Sequence, residues 1–87
     1  MNFKQKLAEQ EEKLAGLNFS MGFNEDLGVV VFAHYANGKI TITLSAESRN
    51  GSVTESHGFT NAKMANKFMA LLPSNYGSGL LAQLFAS

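Results

Sequence analysis

Residues 39–47 (KITITLSAE) alternate without a break between apolar and polar side chains, and Asn-Gly pairs flank the stretch at Asn37-Gly38 and Asn50-Gly51. A period of two puts Ile40, Ile42, Leu44 and Ala46 on one side of a strand and Thr41, Thr43, Ser45 and Glu47 on the other. Asn-Gly is the strongest short hairpin signal, because both residues accept the positive φ of a two-residue turn. The pattern predicts an antiparallel meander with this strand inside it. Residues 28–36 (GVVVFAHYA) precede it, apolar on both faces as a central strand is. Residues 52–59 (SVTESHGF) follow it, polar and closed by Phe59 as an edge strand is. Residues 17–23 (LNFSMGF) also alternate and predict a first strand with Leu17, Phe19, Met21 and Phe23 on one face. Asn24, Glu25 and Asp26 supply the turn to the next strand.

Helices flank the meander. Residues 2–15 (NFKQKLAEQEEKLA) are strong helix formers with a thin apolar stripe, Phe3, Leu7 and Leu14, interrupted by Gln10. Gly16 ends that helix. Thr60 or Asn61 caps a helix running through Leu72, with Met64, Ala65, Phe68, Leu71 and Leu72 inward and Lys63, Asn66 and Lys67 toward water. Pro73 closes it, residues 74–79 (SNYGSG) read as a loop, and residues 80–86 form a last helix with Leu80, Leu81, Leu84 and Phe85 inward. The expected architecture is α+β: a four-stranded antiparallel sheet with two C-terminal helices on one face and an extra N-terminal helix. It forms one domain over residues 1–87, divided as helix 1–15, sheet 17–59 and helical pair 60–86.

Seven basic residues balance seven acidic ones, and the only arginine is Arg49. That balance argues against a nucleic-acid binder, which carries a positive excess, and it leaves little repulsion between copies, so a homodimer is compatible with the charge. There is no cysteine, hence no disulfide framework or thiolate metal site. The charged first fifteen residues exclude a signal peptide, and no apolar run reaches membrane-spanning length, which reads as a soluble, cytoplasmic protein with no membrane partner.

No arrangement of residues points to catalysis or a cofactor. His34 and His57 lie on different strands with no carboxylate or cysteine at ligand spacing. A two-residue turn at Asn50-Gly51 places His57 opposite Leu44 on the core side. Glu25 and Asp26 are adjacent in a turn, where carboxylates are solvated rather than tuned for acid–base work. Gly77-Ser78-Gly79 before a helix resembles an anion cradle but lacks the lysine and length of a phosphate loop. The chain reads as a binding protein rather than an enzyme, and its candidate surface is the sheet face away from the helices.

What lies beside Thr41, Thr43 and Ser45 on that face depends on the turn at Asn37-Gly38. A two-residue turn pairs Ala36 with Lys39 and brings Val30, Phe32 and His34 alongside. A three-residue turn with a glycine bulge pairs Tyr35 with Lys39 and brings Val31, Ala33 and Tyr35 instead. Asn-Gly favours the first. In both, an apolar stripe adjoins a polar one, the usual anatomy of a protein interface, unless the N-terminal helix covers the stripe.

Four features in order carry a family resemblance over residues 28–87. They are Tyr35-Ala36-Asn37-Gly38 followed by Lys39-Ile40, then Asn50-Gly51, then Phe59 reaching Leu72-Pro73, then Gly77-Ser78-Gly79-Leu80. The order resembles a small family of phage anti-CRISPR proteins that inhibit type I-F CRISPR surveillance complexes. The resemblance implies a four-stranded antiparallel sheet backed by two helices, and no enzymatic activity or cofactor. It implies a phage protein acting in the host bacterial cytoplasm, bound to a backbone subunit of the complex so that target DNA cannot pair with the guide. The family's surface uses tyrosines and an acidic residue on the sheet. Tyr35 matches one tyrosine; the acidic position falls on Ser45, with Glu47 two residues along. The other tyrosine has no counterpart in residues 17–23, and the N-terminal helix is an addition. The expected partner-binding residues are Tyr35, Lys39, Thr41, Thr43, Ser45 and Glu47. The alternative is a non-enzymatic interaction or dimerisation module of a phage or mobile element.

Overall fold

The computed structural model describes residues 3–85; the expected helix ends at Asn2 and Ala86 lie outside them. Helix α1 (Phe3–Leu14) precedes strands β1 (Gly22–Asn24), β2 (Val29–Ala36), β3 (Lys39–Ser48) and β4 (Gly51–Phe59). Helices α2 (Ala62–Ala70) and α3 (Tyr76–Leu81) follow, and a 3-10 turn (Ala82–Leu84) ends the described chain. The strands form one antiparallel sheet in the order β1-β2-β3-β4, so the α+β reading is correct.

The hairpin at Asn37-Gly38 is the two-residue form. Asn37 (φ 53) and Gly38 (φ 77) both lie in the left-handed region, as a type I′ turn requires, and Ala36 pairs with Lys39. Alternation then sends Val29, Val31, Ile40, Ile42, Leu44 and Ala46 to one side. There they form the core with Leu27, Ala65, Met69 and Leu80. The second hairpin turns one residue earlier than expected. Arg49 and Asn50 make the turn, and Ser48 pairs with Gly51. His57 therefore faces Ile42, not Leu44, although it stays on the core side.

Residues 17–21 do not extend the first strand. The backbone N–H of Asn18 donates to Asn66 Oδ1 (2.9 Å), and Asn66 Nδ2 donates to the carbonyl of Gly16 (2.9 Å). Asn66, expected to face water, thus pins the start of this segment to α2. Leu17 and Phe19 pack on the core. Met21 is exposed, and Phe23 pairs with Val30 on the opposite face of the sheet.

Asn61 is the α2 cap, its Oδ1 accepting from the Met64 N–H at 2.9 Å. The helix ends before Leu72. Ala65 and Met69 are its buried residues, while Met64 and Leu71, expected inward, are exposed.

The expected loop at 76–79 is helical. Its first turn docks on the turn before β2: Asn75 N–H donates to the Asp26 carbonyl (2.8 Å) and Gly77 N–H to the Leu27 carbonyl (2.7 Å). Gly77 is buried against the backbone of Gly28, where a side chain would collide with the carbonyl. Gly77-Ser78-Gly79 is therefore inside a helix and offers no anion cradle ahead of one. Leu80 is buried, but Phe85, expected inward, is exposed.

α2 and α3 cover the core side of the sheet. α1 lies along β2 on that same side, with Lys13 Nζ 5.8 Å from the centroid of the Tyr35 ring and Leu14 against the core. No residue of α1 is fully buried. The radius of gyration is 14.3 Å with extents of 44 × 24 × 20 Å, against about 12 Å for a compact chain of this length.

Candidate protein-binding face

The registers define the face away from the helices. Its rows, read from β1 to β4, are Phe23, Val30, Ser45 and Thr54; then Phe32, Thr43 and Ser56; then His34, Thr41 and Gly58. Ala36 and Lys39 pair at one end, and Glu47 and Ser52 at the other. Phe23 is 67% and Phe32 57% exposed, large values for phenylalanines on a sheet. Beside them runs a hydroxyl ladder across β3 and β4: Thr43 Oγ1 to Ser56 Oγ at 3.1 Å, and Ser45 Oγ to Thr54 Oγ1 at 3.1 Å. These cross-strand bonds orient the hydroxyls of the polar half of the face. Lys39 leans across β4, its Cδ 3.7 Å from where a side chain on Gly58 would begin.

Five of the six residues expected at the partner surface share this face: Lys39, Thr41, Thr43, Ser45 and Glu47. Tyr35 does not. It pairs with Ile40 on the core side, packs against the core, and lines a groove with Lys6, Glu9 and Gln10 of α1. The two-residue turn causes this, since it gives Tyr35 the parity of Val31 and Ala33. Phe32 takes the exposed aromatic position instead, as that turn predicts. Phe23 has no such signal, because the alternation of residues 17–23 assigns it to the side of Phe19.

A second polar cluster lies at the core-side rim, where α3 meets β4. The Tyr76 hydroxyl donates to Glu55 Oε1, and His57 Nε2 is 3.2 Å from the same oxygen. The Tyr76 bond is the main reason the Glu55 carboxyl lies below its ordinary value. Burial opposes this shift, and His57 assists it. The same bond holds the Tyr76 phenol up at about 12. The His57 ring packs at a tilt against Phe68, centroids 4.5 Å apart, and Phe68 contacts Phe59 at 5.2 Å. This cluster fastens α3 to β4. His34 lies on the open face and His57 on the other, so the two histidines cannot share a ligand. Among the described residues there is no group of three or more His, Cys, Asp or Glu able to hold a metal ion, and no helix long and apolar enough to cross a membrane. No protein-family model, curated protein or solved structure matches this chain.

Proposed function

We propose that this chain is a non-enzymatic binding protein that lays its open sheet face on the surface of another protein. One observation carries the reading: Phe23 and Phe32 stand exposed on a single face, bordered by ordered hydroxyls and with Lys39 and Glu47 at its ends. Apolar anchors inside a polar rim are what a protein partner desolvates. The turn-and-spacing resemblance supplies the partner, a subunit of a CRISPR surveillance complex, and the mechanism, steric exclusion of target DNA. On this surface the aromatic anchors are phenylalanines, and Tyr35 has no part.

The test is to mix the purified chain with type I-F and type I-E surveillance complexes and score co-elution and target-DNA binding. Co-elution with loss of DNA binding is expected, abolished by Phe32→Ala and retained by Tyr35→Ala. No co-elution with either complex sinks the CRISPR partner. Retention of binding by Phe32→Ala removes the open face from the site. A second reading, a general interaction or dimerisation module, is favoured by α1, whose Phe3 is 74% and Leu7 44% exposed. It predicts that Leu7→Lys lowers the mass of the chain in solution or abolishes partner capture.

A further inference from the structure

The charges on the open face are arranged for a second copy of the same face. Among the strand residues paired on it, the only lysine, arginine or carboxylate side chains are Lys39 and Glu47, at opposite ends of β3. Thr43 is midway between them, and its β2 neighbour is Phe32. A two-fold axis lying between two facing sheets, perpendicular to the strands at Thr43, stacks β3 on its copy in the reverse direction. Lys39 then meets Glu47 of the other copy, twice over, and Phe32 meets its own counterpart at the centre. The other in-plane two-fold, along the strands, sets like ends together, Lys39 with Lys39 and Glu47 with Glu47. Charge therefore selects one orientation.

We infer that in the free protein this face is covered by a second copy in that orientation, as an isologous sheet-on-sheet dimer. The face is three strands wide at about 4.8 Å each over the eight residues, at about 3.3 Å each, that separate its charged ends, and the short β1 widens it at the Glu47 end. Its projected footprint is on the order of 400 Å². Even with standing side chains it stays at or below the roughly 800 Å² of accessible surface per partner in specific interfaces. A reversible dimer follows, and zero net charge puts no long-range repulsion in its way. The inference rests on reading the open face as a docking surface. It adds regulation to it, because a copy and a foreign partner cannot occupy the face together and self-association masks Phe32 until the partner arrives.

Sedimentation velocity of the full chain, from low micromolar to near-millimolar concentration, tests this. The mass should rise toward twice that of the monomer. Lys39→Glu and Glu47→Lys alone should each move the midpoint at least tenfold upward in concentration, and the double exchange should return it. Both positions are exposed, and circular dichroism should report an unchanged fold. Phe32→Ala should be monomeric throughout. A chain that stays monomeric at every concentration overturns the dimer, as does a dimer indifferent to the single exchanges or lost only with Leu7→Lys. A monomer that still captures a partner through Phe32 rejects self-association and keeps the docking face. A charge-rescued dimer that captures no CRISPR complex upholds the dimer and rejects that partner.

Discussion

Tyr76, the first residue of α3, donates a hydrogen bond to the carboxylate of Glu55, on the core side of the edge strand β4. The contact is the polar link between the C-terminal helices and the sheet edge. A hydrogen bond to an ionised group is worth about 1.5–3 kcal/mol when buried, and partial exposure here brings it toward the lower end. Tyr76→Phe should therefore cost about 1–2 kcal/mol in urea denaturation. Glu55→Gln keeps an acceptor but not the charge, and should cost less.

The same pair sets the pH profile of stability. Glu55 has a lowered pKa in the fold. Its contribution is present above its unfolded value and is lost as pH falls through the folded one, because the unfolded chain then binds the extra proton. Tyr76 is raised from 10.0 to about 12. Its contribution is present below 10.0 and is lost as pH climbs toward about 12, where the fold retains a proton the unfolded chain has released. Urea midpoints measured across pH should fall on both sides of a neutral plateau. Glu55→Gln should flatten the acid limb and Tyr76→Phe the alkaline one. Limbs unchanged by these substitutions would assign the titration to other groups.

Alternation along β3 predicts that neighbours differ sharply in what they carry. Ile42 is fully buried, and truncating such a side chain to alanine costs about 2–5 kcal/mol. Phe32, 57% exposed on the other face, should cost under about 1 kcal/mol on the same substitution, since most of its surface is already in water. Denaturation of the two variants, with partner binding scored in parallel, should separate stability from recognition. Ile42→Ala loses the first, and Phe32→Ala the second by about 2 kcal/mol or more.

The central hairpin was legible because its turn is local chemistry: Asn37 and Gly38 select a type I′ turn, and parity does the rest. That made the polar half of the open face readable, with Lys39 and Glu47 at its ends. Given the turn, Phe32 was readable too. Tyr35 entered the candidate surface through the resemblance and needed the three-residue turn to reach it, whereas the two-residue turn sends it to the side of α1. The misread segments share a physical cause. Residues 17–21 have the alternation of a strand, but Asn66, from a different element, takes the Asn18 N–H and the Gly16 carbonyl just before them. Residues 76–79 have the glycines of a loop, but bonds to Asp26 and Leu27 wind them into a helix. Both outcomes depend on contacts far apart in the chain, which local pattern does not encode.

Gly77 puts helix propensity and packing in opposition. Alanine is favoured over glycine in a helix interior by about 1 kcal/mol. At Gly77, however, a Cβ would overlap the carbonyl of Gly28 and approach that of Leu27 at 3.1 Å. Both are backbone atoms that cannot rotate away, so the clash outweighs the propensity. Gly77→Ala should destabilise by about 2 kcal/mol or more, whereas Gly79→Ala, with open space around it, should be neutral or stabilising. Equal responses at the two positions in thermal unfolding would disprove the close approach.

Asn66 makes the sharpest case of one side chain deciding a secondary structure. Its amide oxygen accepts from Asn18 and its amide nitrogen donates to Gly16, so both ends of the group are spent on one loop. Replacement by alanine leaves the α2 propensity intact or improved, but frees the Asn18 N–H and the Gly16 carbonyl. The exposed setting of these bonds limits the loss to about 1–2 kcal/mol in total. The local consequence should be larger than the global one. Amide exchange of Asn18 should rise by an order of magnitude or more in Asn66→Ala, while the β2–β3 amides keep their wild-type protection. Asn66→Asp separates the two halves of the contact, because it keeps the acceptor for Asn18 and loses the donor to Gly16. Asn18 should stay protected in that variant. If its exchange rises as far as in Asn66→Ala, the loop is held by the packing of Leu17 and Phe19 on the core, and the amide bonds are incidental.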